Sequence, residues 1–164
     1  MTGIRTFAAM VLAGALAIGG WELAQAKSTK LTAQDYTEIT ELYARLYQGS
    51  DLRELELWLS NFVDDAVYGF PNGDSVTGKP ALTEWRKKAW AGQTGDSKRR
   101  HWTSGVALTP MPDGTVKGRA YWMMIDGKDK LPVVAQSGLF DDLYVKTAAG
   151  WKFKRHGVRM DPAS

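Results

Sequence analysis

An α+β fold is predicted for this sequence, with three N-terminal helices packed on a cone-shaped, strongly curved antiparallel sheet. One observation is that apolar residues recur at helical spacing between residues 32 and 62, and again after Pro80. Another is that the pattern changes, from His101 onward, to long β-prone runs separated by short turn signals. Helices followed by a series of strands are typical of α+β packing, in which the helices cover one face of the sheet.

The predicted helices begin at recognisable caps. The segment Thr32–Asp35 has capping-box spacing and opens the first helix, which Gly49 is expected to end. The segment Asp51–Glu54 has the same spacing and is predicted to open a second helix that ends at the acidic pair 64–65. Pro80 stands where a third helix would begin.

One short strand and four long strands are predicted after the second helix. The short strand covers 66–70 and is followed by a turn at Asn72-Gly73-Asp74. The long strands are predicted at 102–108, 115–125, 131–146 and 151–158, and the third of them needs a bend or bulge near Gly138. A sheet curved in this way leaves a cavity, and ligand sites favour such openings.

Residues 1–26 have the features of a secretory signal peptide. Arg5 supplies a positive charge, the stretch 7–18 is apolar, and Ala24-Gln25-Ala26 matches a small-x-small cleavage site. The apolar stretch is shorter than the ~20 residues that a membrane-spanning helix needs. We therefore expect a signal peptide at 1–26 and a single domain at 27–164, which is periplasmic or secreted and has no stable membrane insertion.

The composition argues against several classes of function. The formal net charge of +3 is too small to indicate a nucleic-acid partner, and the basic runs 86–88 and 98–100 are interpreted as surface. The sequence has no serine-hydrolase elbow, phosphate-binding loop or dinucleotide fingerprint. Its two histidines are 55 residues apart, which is not a metal-ligand spacing. We expect neither a metal nor another cofactor, and the absence of cysteine leaves the core alone to stabilise the domain.

Several short motifs mark the order of the predicted elements. They are Tyr43 and Tyr47 in the first helix, Phe62-Val63-Asp64-Asp65-Ala66-Val67, Gly78-Lys79, Gly138-x-Phe140-x-Asp142 and Gly150-Trp151-Lys152-Phe153. Together they resemble the SnoaL-like family of the nuclear-transport-factor-two superfamily, whose members include scytalone dehydratase and polyketide cyclases. The resemblance covers about residues 32–158. It implies a cystatin-like α+β barrel around an apolar pocket, and a homodimer formed through the outer face of the sheet.

The resemblance also implies a catalytic site. Dehydratase-like relatives hold water and substrate with a Tyr-Asp pair near the end of the first helix and a histidine that opens a strand. Tyr47 and His101 match the tyrosine and histidine positions, but Gln48 replaces the acid and cannot exchange a proton near neutral pH. Asp142 is the predicted replacement acid, because it shares one strand face with Phe140.

These considerations give a set of candidate site residues. Strict alternation places Val106 and Leu108 on the strand face opposite His101, which argues against an inward His101, whereas the resemblance implies that it faces the pocket. His156 is interpreted as structural or exposed. The predicted catalytic residues are Tyr47, His101 and Asp142, and the predicted ligand-binding residues are Tyr43, Gln48, Trp58 and Phe140.

Three functions are compatible with the sequence. The leading hypothesis is an exported protein that binds a small, largely apolar molecule, with cofactor-free lyase, hydratase or isomerase activity. The first alternative is a binding protein that sequesters the same ligand without chemistry, which Gln48 favours. The second is a protein-interaction module in which Trp122 and Tyr144 form an exposed apolar patch on the outer sheet face.

Overall fold

A computed structural model describes residues 30–127 and 131–162 of the chain. The signal peptide predicted at 1–26 lies outside the described residues and stays a prediction. No helix in the described ranges is both long enough and apolar enough to cross a membrane. The helices are α1 (Ala33–Leu52), α2 (Leu55–Leu59) and α3 (Lys79–Ala89), and the strands are β1 (Phe62–Gly69), β2 (Ser75–Thr77), β3 (Arg99–Pro110), β4 (Val116–Asp126), β5 (Val133–Thr147) and β6 (Gly150–Met160).

The strands form one six-stranded sheet in the order β2-β1-β6-β5-β4-β3. The four long strands pair antiparallel, as predicted, whereas β1 pairs with β6 in parallel and the short strand β2 is an addition to the predicted elements. The irregularity predicted near Gly138 lies between Val134 and Gln136, where the register with β4 shifts. The predicted α+β cone is confirmed, and its sheet stays open because β2 and β3 are edge strands.

The start of α1 is fixed by the predicted capping box. The backbone N–H of Thr32 donates to the carboxylate of Asp35 at 2.9 Å, and the Asp35 backbone N–H donates back to the Thr32 hydroxyl at 3.1 Å. Asp35 also accepts from Lys146 Nζ at 2.6 Å and from Trp151 Nε1 at 2.8 Å, which ties the helix to β5 and β6. The hydrogen bond from Lys146, followed by that from the Thr32 backbone, holds the pKa of Asp35 far below its usual value.

The prediction that Gly49 ends α1 is wrong. The helix continues for almost another turn, and Arg53 caps it in the left-handed conformation with φ 60°. Gly49 is required for a different reason, since a Cβ there would lie 2.7 Å from the backbone nitrogen of Trp58, where α2 crosses α1. The longer helix includes Asp51, so Asp51 does not cap α2, whose N-cap is Glu54.

The second helix, in contrast, is shorter than predicted. Asn61 follows it, with its side-chain amide donating to the carbonyl of Trp58 at 3.1 Å and its own carbonyl accepting from the Phe153 N–H at 2.9 Å. The chain therefore joins the sheet at Phe62, and the acidic pair 64–65 lies within β1 rather than at a helix end.

The core lies between the helices and the inner face of the sheet, and it contains the aromatic residues that the sequence analysis placed outside. Trp122 is 6% exposed and Tyr144 is 0% exposed, so the predicted outer patch of these residues is wrong. Successive residues of a strand point to opposite faces, and the exposed neighbours are Tyr121 at 65% and Trp102 at 58%. The outer sheet face thus carries an aromatic surface made of different residues.

A bulge in β3 decides which residues share a face with His101. Gly105 has φ 62°, and the pairing register with β4 shifts at this glycine. The extra residue reverses the alternation beyond it, so Val106 and Leu108 pack against the core on the inner face together with His101. The apolar pattern that argued against an inward His101 is therefore a consequence of the bulge.

Candidate active site

Asp51 and His101 form a hydrogen-bonded pair where the end of α1 meets the start of β3. Nδ1 of His101 lies 2.6 Å from Oδ1 of Asp51, and the His101 backbone N–H donates to Oδ2 at 3.0 Å. Because a carboxylate only accepts hydrogen bonds, we assign the proton of the neutral imidazole to Nδ1, which leaves Nε2 as an acceptor. The side chain of His101 is 18% exposed and that of Asp51 is 8% exposed. The pair can therefore exchange a proton with a molecule beside it.

Two cavities share this pair as part of their walls. The first, called here the α3 cavity, has a volume of about 280 Å³ and is lined by Tyr47, Asp51, Tyr68, Arg86, His101 and Met124. The second, called here the β3 cavity, has a volume of about 380 Å³ and is lined by Tyr43, Tyr47, Gln48, Asp51, His101 and Val106. Both cavities therefore contact the imidazole of His101 and the ring of Tyr47.

Asp142 and His156 form a second pair, on the neighbouring strands β5 and β6. Nδ1 of His156 lies 2.9 Å from Oδ1 of Asp142, and neither side chain has any exposed surface. Oδ2 of Asp142 accepts from the hydroxyl groups of Tyr43 at 2.5 Å and Tyr144 at 3.3 Å, while Oδ1 also accepts from the Gly157 N–H at 3.2 Å. Both carboxylate oxygens are thus occupied by donors from the core.

Tyr47 connects the two pairs. Its ring stacks on that of His101, with centroids 4.6 Å apart, and its hydroxyl oxygen lies 3.0 Å from Nε2 of His156. Since Nδ1 of His156 donates to Asp142, Nε2 accepts the hydrogen bond of the Tyr47 hydroxyl. Burial raises the pKa of Tyr47 well above its usual value, so the hydroxyl keeps its proton at neutral pH.

The structure places Asp142 inside, as predicted, but not beside His101. Its carboxylate contacts His156, so Asp142 is not the acid partner of His101. That partner is Asp51, which the sequence analysis missed because its spacing to Glu54 matches a helix cap. The signal that identifies Asp51 is its spacing in α1. It follows Tyr47 by four residues, which places both side chains on the same face of the helix.

The predicted ligand-binding residues take different positions. Gln48 is exposed and lines the β3 cavity, and Tyr43 lines the same cavity while its hydroxyl belongs to the Asp142 network. Phe140 is buried and stacks on the ring of Tyr47 at 5.4 Å. Trp58 is also buried, and it lines neither the α3 cavity nor the β3 cavity. Phe140 and Trp58 therefore support the residues that line the cavities rather than line them themselves.

Arg86 is not a surface residue, although the basic run 86–88 was interpreted as one. It follows Leu82 by one helical turn on the inner face of α3, and it lines the α3 cavity. Its guanidinium carbon lies 4.2 Å from the ring centre of Trp58 and 4.4 Å from that of Trp85. Lys87 and Lys88 are exposed, as expected for the run.

Within 30–127 and 131–162, no group of three or more histidine, aspartate or glutamate side chains is arranged to bind a metal. The expectation of a cofactor-free site stays a prediction. General acid–base chemistry at a histidine does not require a metal.

The fold and the site together define a cystatin-like α+β domain with an Asp–His pair in the walls of two cavities. The family model of the SnoaL-like domain matches residues 31–156, and the chain belongs to this family. The resemblance found in the sequence is therefore confirmed.

Solved structures show the same fold. A protein of unknown function with a cystatin-like fold from Nostoc punctiforme has a TM-score of 0.70 and 24% identity, over 82% of this chain and 96% of that one. A protein from Catenulispora acidiphila in complex with S-DNPA has a TM-score of 0.68 and 22% identity, over 79% and 96%. A candidate scytalone dehydratase from Novosphingobium aromaticivorans has a TM-score of 0.65 and 19% identity, over 79% and 85%. No curated protein matches the chain significantly.

Proposed function

We propose that this chain is an exported protein that binds a small, largely apolar molecule and moves a proton on it without a cofactor, as a lyase, hydratase or isomerase does. The observation that carries the proposal is the Asp51–His101 pair in the wall of both cavities. The similar structure that holds S-DNPA supports a small-molecule ligand. The signal-peptide features of residues 1–26 support export to the periplasm or beyond.

The proposed chemistry begins at Nε2 of His101. In this scheme the nitrogen accepts a proton from a carbon beside a carbonyl group, and the carboxylate of Asp51 stabilises the imidazolium that results. The imidazolium returns the proton to another carbon in an isomerisation, or to a departing hydroxyl, which leaves as water, in an elimination. Tyr47 is fixed by its hydrogen bond to His156 and holds the imidazole plane by stacking.

The cavities are compatible with a compact ligand. Their volumes of about 280 and 380 Å³ lie near the lower end of the ~300–1,000 Å³ that is typical of small-molecule sites. Tyr43, Tyr47 and Val106 give the β3 cavity an apolar part, whereas Tyr68 and Met124 in the α3 cavity stand beside polar and charged residues such as Asp51 and Arg86. The β3 cavity therefore favours an apolar body, and the α3 cavity favours a molecule that also has a polar group.

The test is a comparison of His101→Gln with the wild type on molecules that copurify with the mature protein and are identified by mass spectrometry. Glutamine keeps the approximate size and polarity but cannot take up a proton, so turnover should fall by roughly 10²-fold or more with little change in the unfolding temperature. Lys88→Ala is the control, because Lys88 is exposed and lines neither cavity. Equal turnover in the wild type and His101→Gln would contradict the proposal. Binding without any conversion by the wild type would favour the sequestering protein.

We also propose a homodimer, which the exposed aromatic residues of the outer sheet face favour. Trp102 pairs with Met123 and Tyr121 pairs with Ser104, so the two exposed rings are neighbours on that face. Large exposed apolar patches commonly mark protein interfaces. Light scattering should show a dimer for the wild type and a monomer for Tyr121→Arg, whereas Lys117→Ala, an exposed residue of the same strand, should stay dimeric. A monomeric wild type would contradict this.

A further inference from the structure

Arg86 has a surrounding that is unusual for a cation. Its guanidinium carbon lies over the rings of Trp58, Trp85 and Trp90, at 4.2, 4.4 and 5.1 Å from their centres. Within the described parts of the chain it forms no ion pair with a carboxylate, and its buried Nε has no hydrogen-bond partner. Burial lowers the pKa of Arg86, while Tyr68 and Tyr47 act in the opposite direction. Arginine nevertheless stays charged at neutral pH.

The placement of this charge points to a ligand. Arg86 lines the α3 cavity, which also contacts Tyr47, Tyr68 and His101. A partly buried cation without an opposite charge is costly unless another group compensates it. Aromatic rings stabilise the face of a guanidinium and the Tyr68 hydroxyl accepts a hydrogen bond from Arg86, but neither supplies a negative charge.

We propose that Arg86 is the anchor for a carboxylate on the ligand, so that the α3 cavity takes a compact, unsaturated or aromatic carboxylic acid. A carboxylate presents two oxygens in one plane, which match the parallel N–H groups of a guanidinium edge. The cavity volume of about 280 Å³ limits the remainder of the molecule to a small body. The inference rests on the proposed function because it assigns the ligand class of the same cavity, but it concerns binding rather than proton transfer.

Cinnamate and cinnamamide provide a direct test, because they have nearly the same shape and differ in charge. Their dissociation constants are measured by calorimetry and by quenching of tryptophan fluorescence, to which Trp58, Trp85 and Trp90 contribute from positions beside Arg86. The wild type should bind cinnamate roughly tenfold or more tightly than cinnamamide. Arg86→Met keeps the apolar stem and removes the charge, so the two compounds should bind it equally. Lys87→Met, at an exposed neighbour on the same helix, should keep the wild-type preference.

Several outcomes would overturn this inference. They are equal affinities in the wild type, a preference for cinnamate that persists in Arg86→Met, or no binding of either compound at millimolar concentration. If circular dichroism shows that Arg86→Met is unfolded, Arg86→Gln replaces it, because glutamine keeps amide donors without the charge. Arg86→Gln should likewise bind cinnamate and cinnamamide with equal affinity. His101→Gln should retain the preference for cinnamate. The two proposals can therefore fail separately. A preference for cinnamate without any turnover would contradict only the proton transfer, and turnover without that preference would contradict only the role of Arg86.

Discussion

The two Asp–His pairs of this protein contain the same side chains in opposite surroundings. Asp51–His101 joins a helix end to an edge strand, and its histidine keeps 18% of its side-chain surface exposed. Asp142–His156 joins two strands within the sheet and has no exposed side-chain surface. In the buried pair both imidazole nitrogens have partners, whereas no described residue bonds to Nε2 of His101. Access to the second imidazole nitrogen, rather than the Asp–His pair itself, therefore distinguishes a candidate acid–base residue from a structural one.

The donors around each carboxylate explain the difference in energetic terms. Asp142 collects the imidazole, two tyrosine hydroxyls and a backbone N–H, which compensate the cost of burying its charge. Among the described residues, the carboxylate of Asp51 accepts only from the imidazole Nδ1 and the backbone N–H of His101. We therefore expect the fully buried pair to dominate stability and the cavity-lining pair Asp51–His101 to dominate activity.

The largest expected effect is on stability at the buried pair. Asp142→Ala leaves His156, Tyr43 and Tyr144 without their shared acceptor, and the free energy of unfolding should fall by about 3–5 kcal/mol. Urea denaturation measures this loss. Asp141→Ala is the matched control, because the preceding side chain points outward to Arg159 and its surface ion pair contributes about 1 kcal/mol or less. Similar losses in the two variants would show that the network does not stabilise the core.

The tyrosines around the buried pair predict a loss of stability at alkaline pH. Burial raises the pKa of Tyr43 and Tyr144 above the usual value of 10.0, with the negative charge of Asp142 as the next cause. Below the unfolded-state pKa their contribution is complete, and above it the unfolded chain releases protons that the folded chain keeps. Each such tyrosine should lower the free energy of unfolding by about 1.4 kcal/mol per pH unit above about pH 10. Tyr43→Phe should reduce that slope in urea denaturation series, and an unchanged slope would contradict the prediction.

At the cavity-lining pair, Asp51→Asn should affect activity more than stability. The amide oxygen still accepts one hydrogen bond, so the free energy of unfolding should fall by only about 1 kcal/mol. Turnover should fall roughly tenfold or more, since the imidazolium loses its negative partner and the tautomer of His101 is no longer fixed. Nitrogen-15 NMR of the imidazole reports the tautomer directly. If Asp51 were purely structural, the tautomer of His101 would be the same in Asp51→Asn as in the wild type. A His101 that keeps its wild-type tautomer in Asp51→Asn would argue against a positioning role.

The smallest expected effect is at Tyr47, which contacts both pairs. Tyr47→Phe removes one hydrogen bond to His156 and keeps the ring that stacks on His101, so unfolding should cost about 1 kcal/mol less. Turnover should decrease less than in His101→Gln, because phenylalanine still holds the imidazole plane. If Tyr47→Phe removes as much turnover as His101→Gln, the Tyr47 hydroxyl itself takes part in the reaction. That result would contradict the assignment of activity to Asp51–His101 alone.

Much of this architecture is determined by the sequence itself. The capping box of Thr32 and Asp35, the apolar stripe of α1 and the turns between long β-prone runs are local features, and they predict the elements correctly. The order of the short motifs was enough to recognise the family, and with it the positions of Tyr47 and His101. Local patterns succeed here because capping, helical periodicity and turns depend on residues only a few positions apart.

The partners of the candidate site were decided by the tertiary structure. Asp51 has the local spacing of a helix cap, yet it pairs with a histidine 50 residues away because α1 extends past Gly49. His156 meets Asp142 only through the register of β5 and β6, and Arg86 reaches its cavity only because α3 packs its inner face on the aromatic core. Strand register and helix packing join residues that are distant in sequence, so local periodicity contains no information about which carboxylate faces which imidazole.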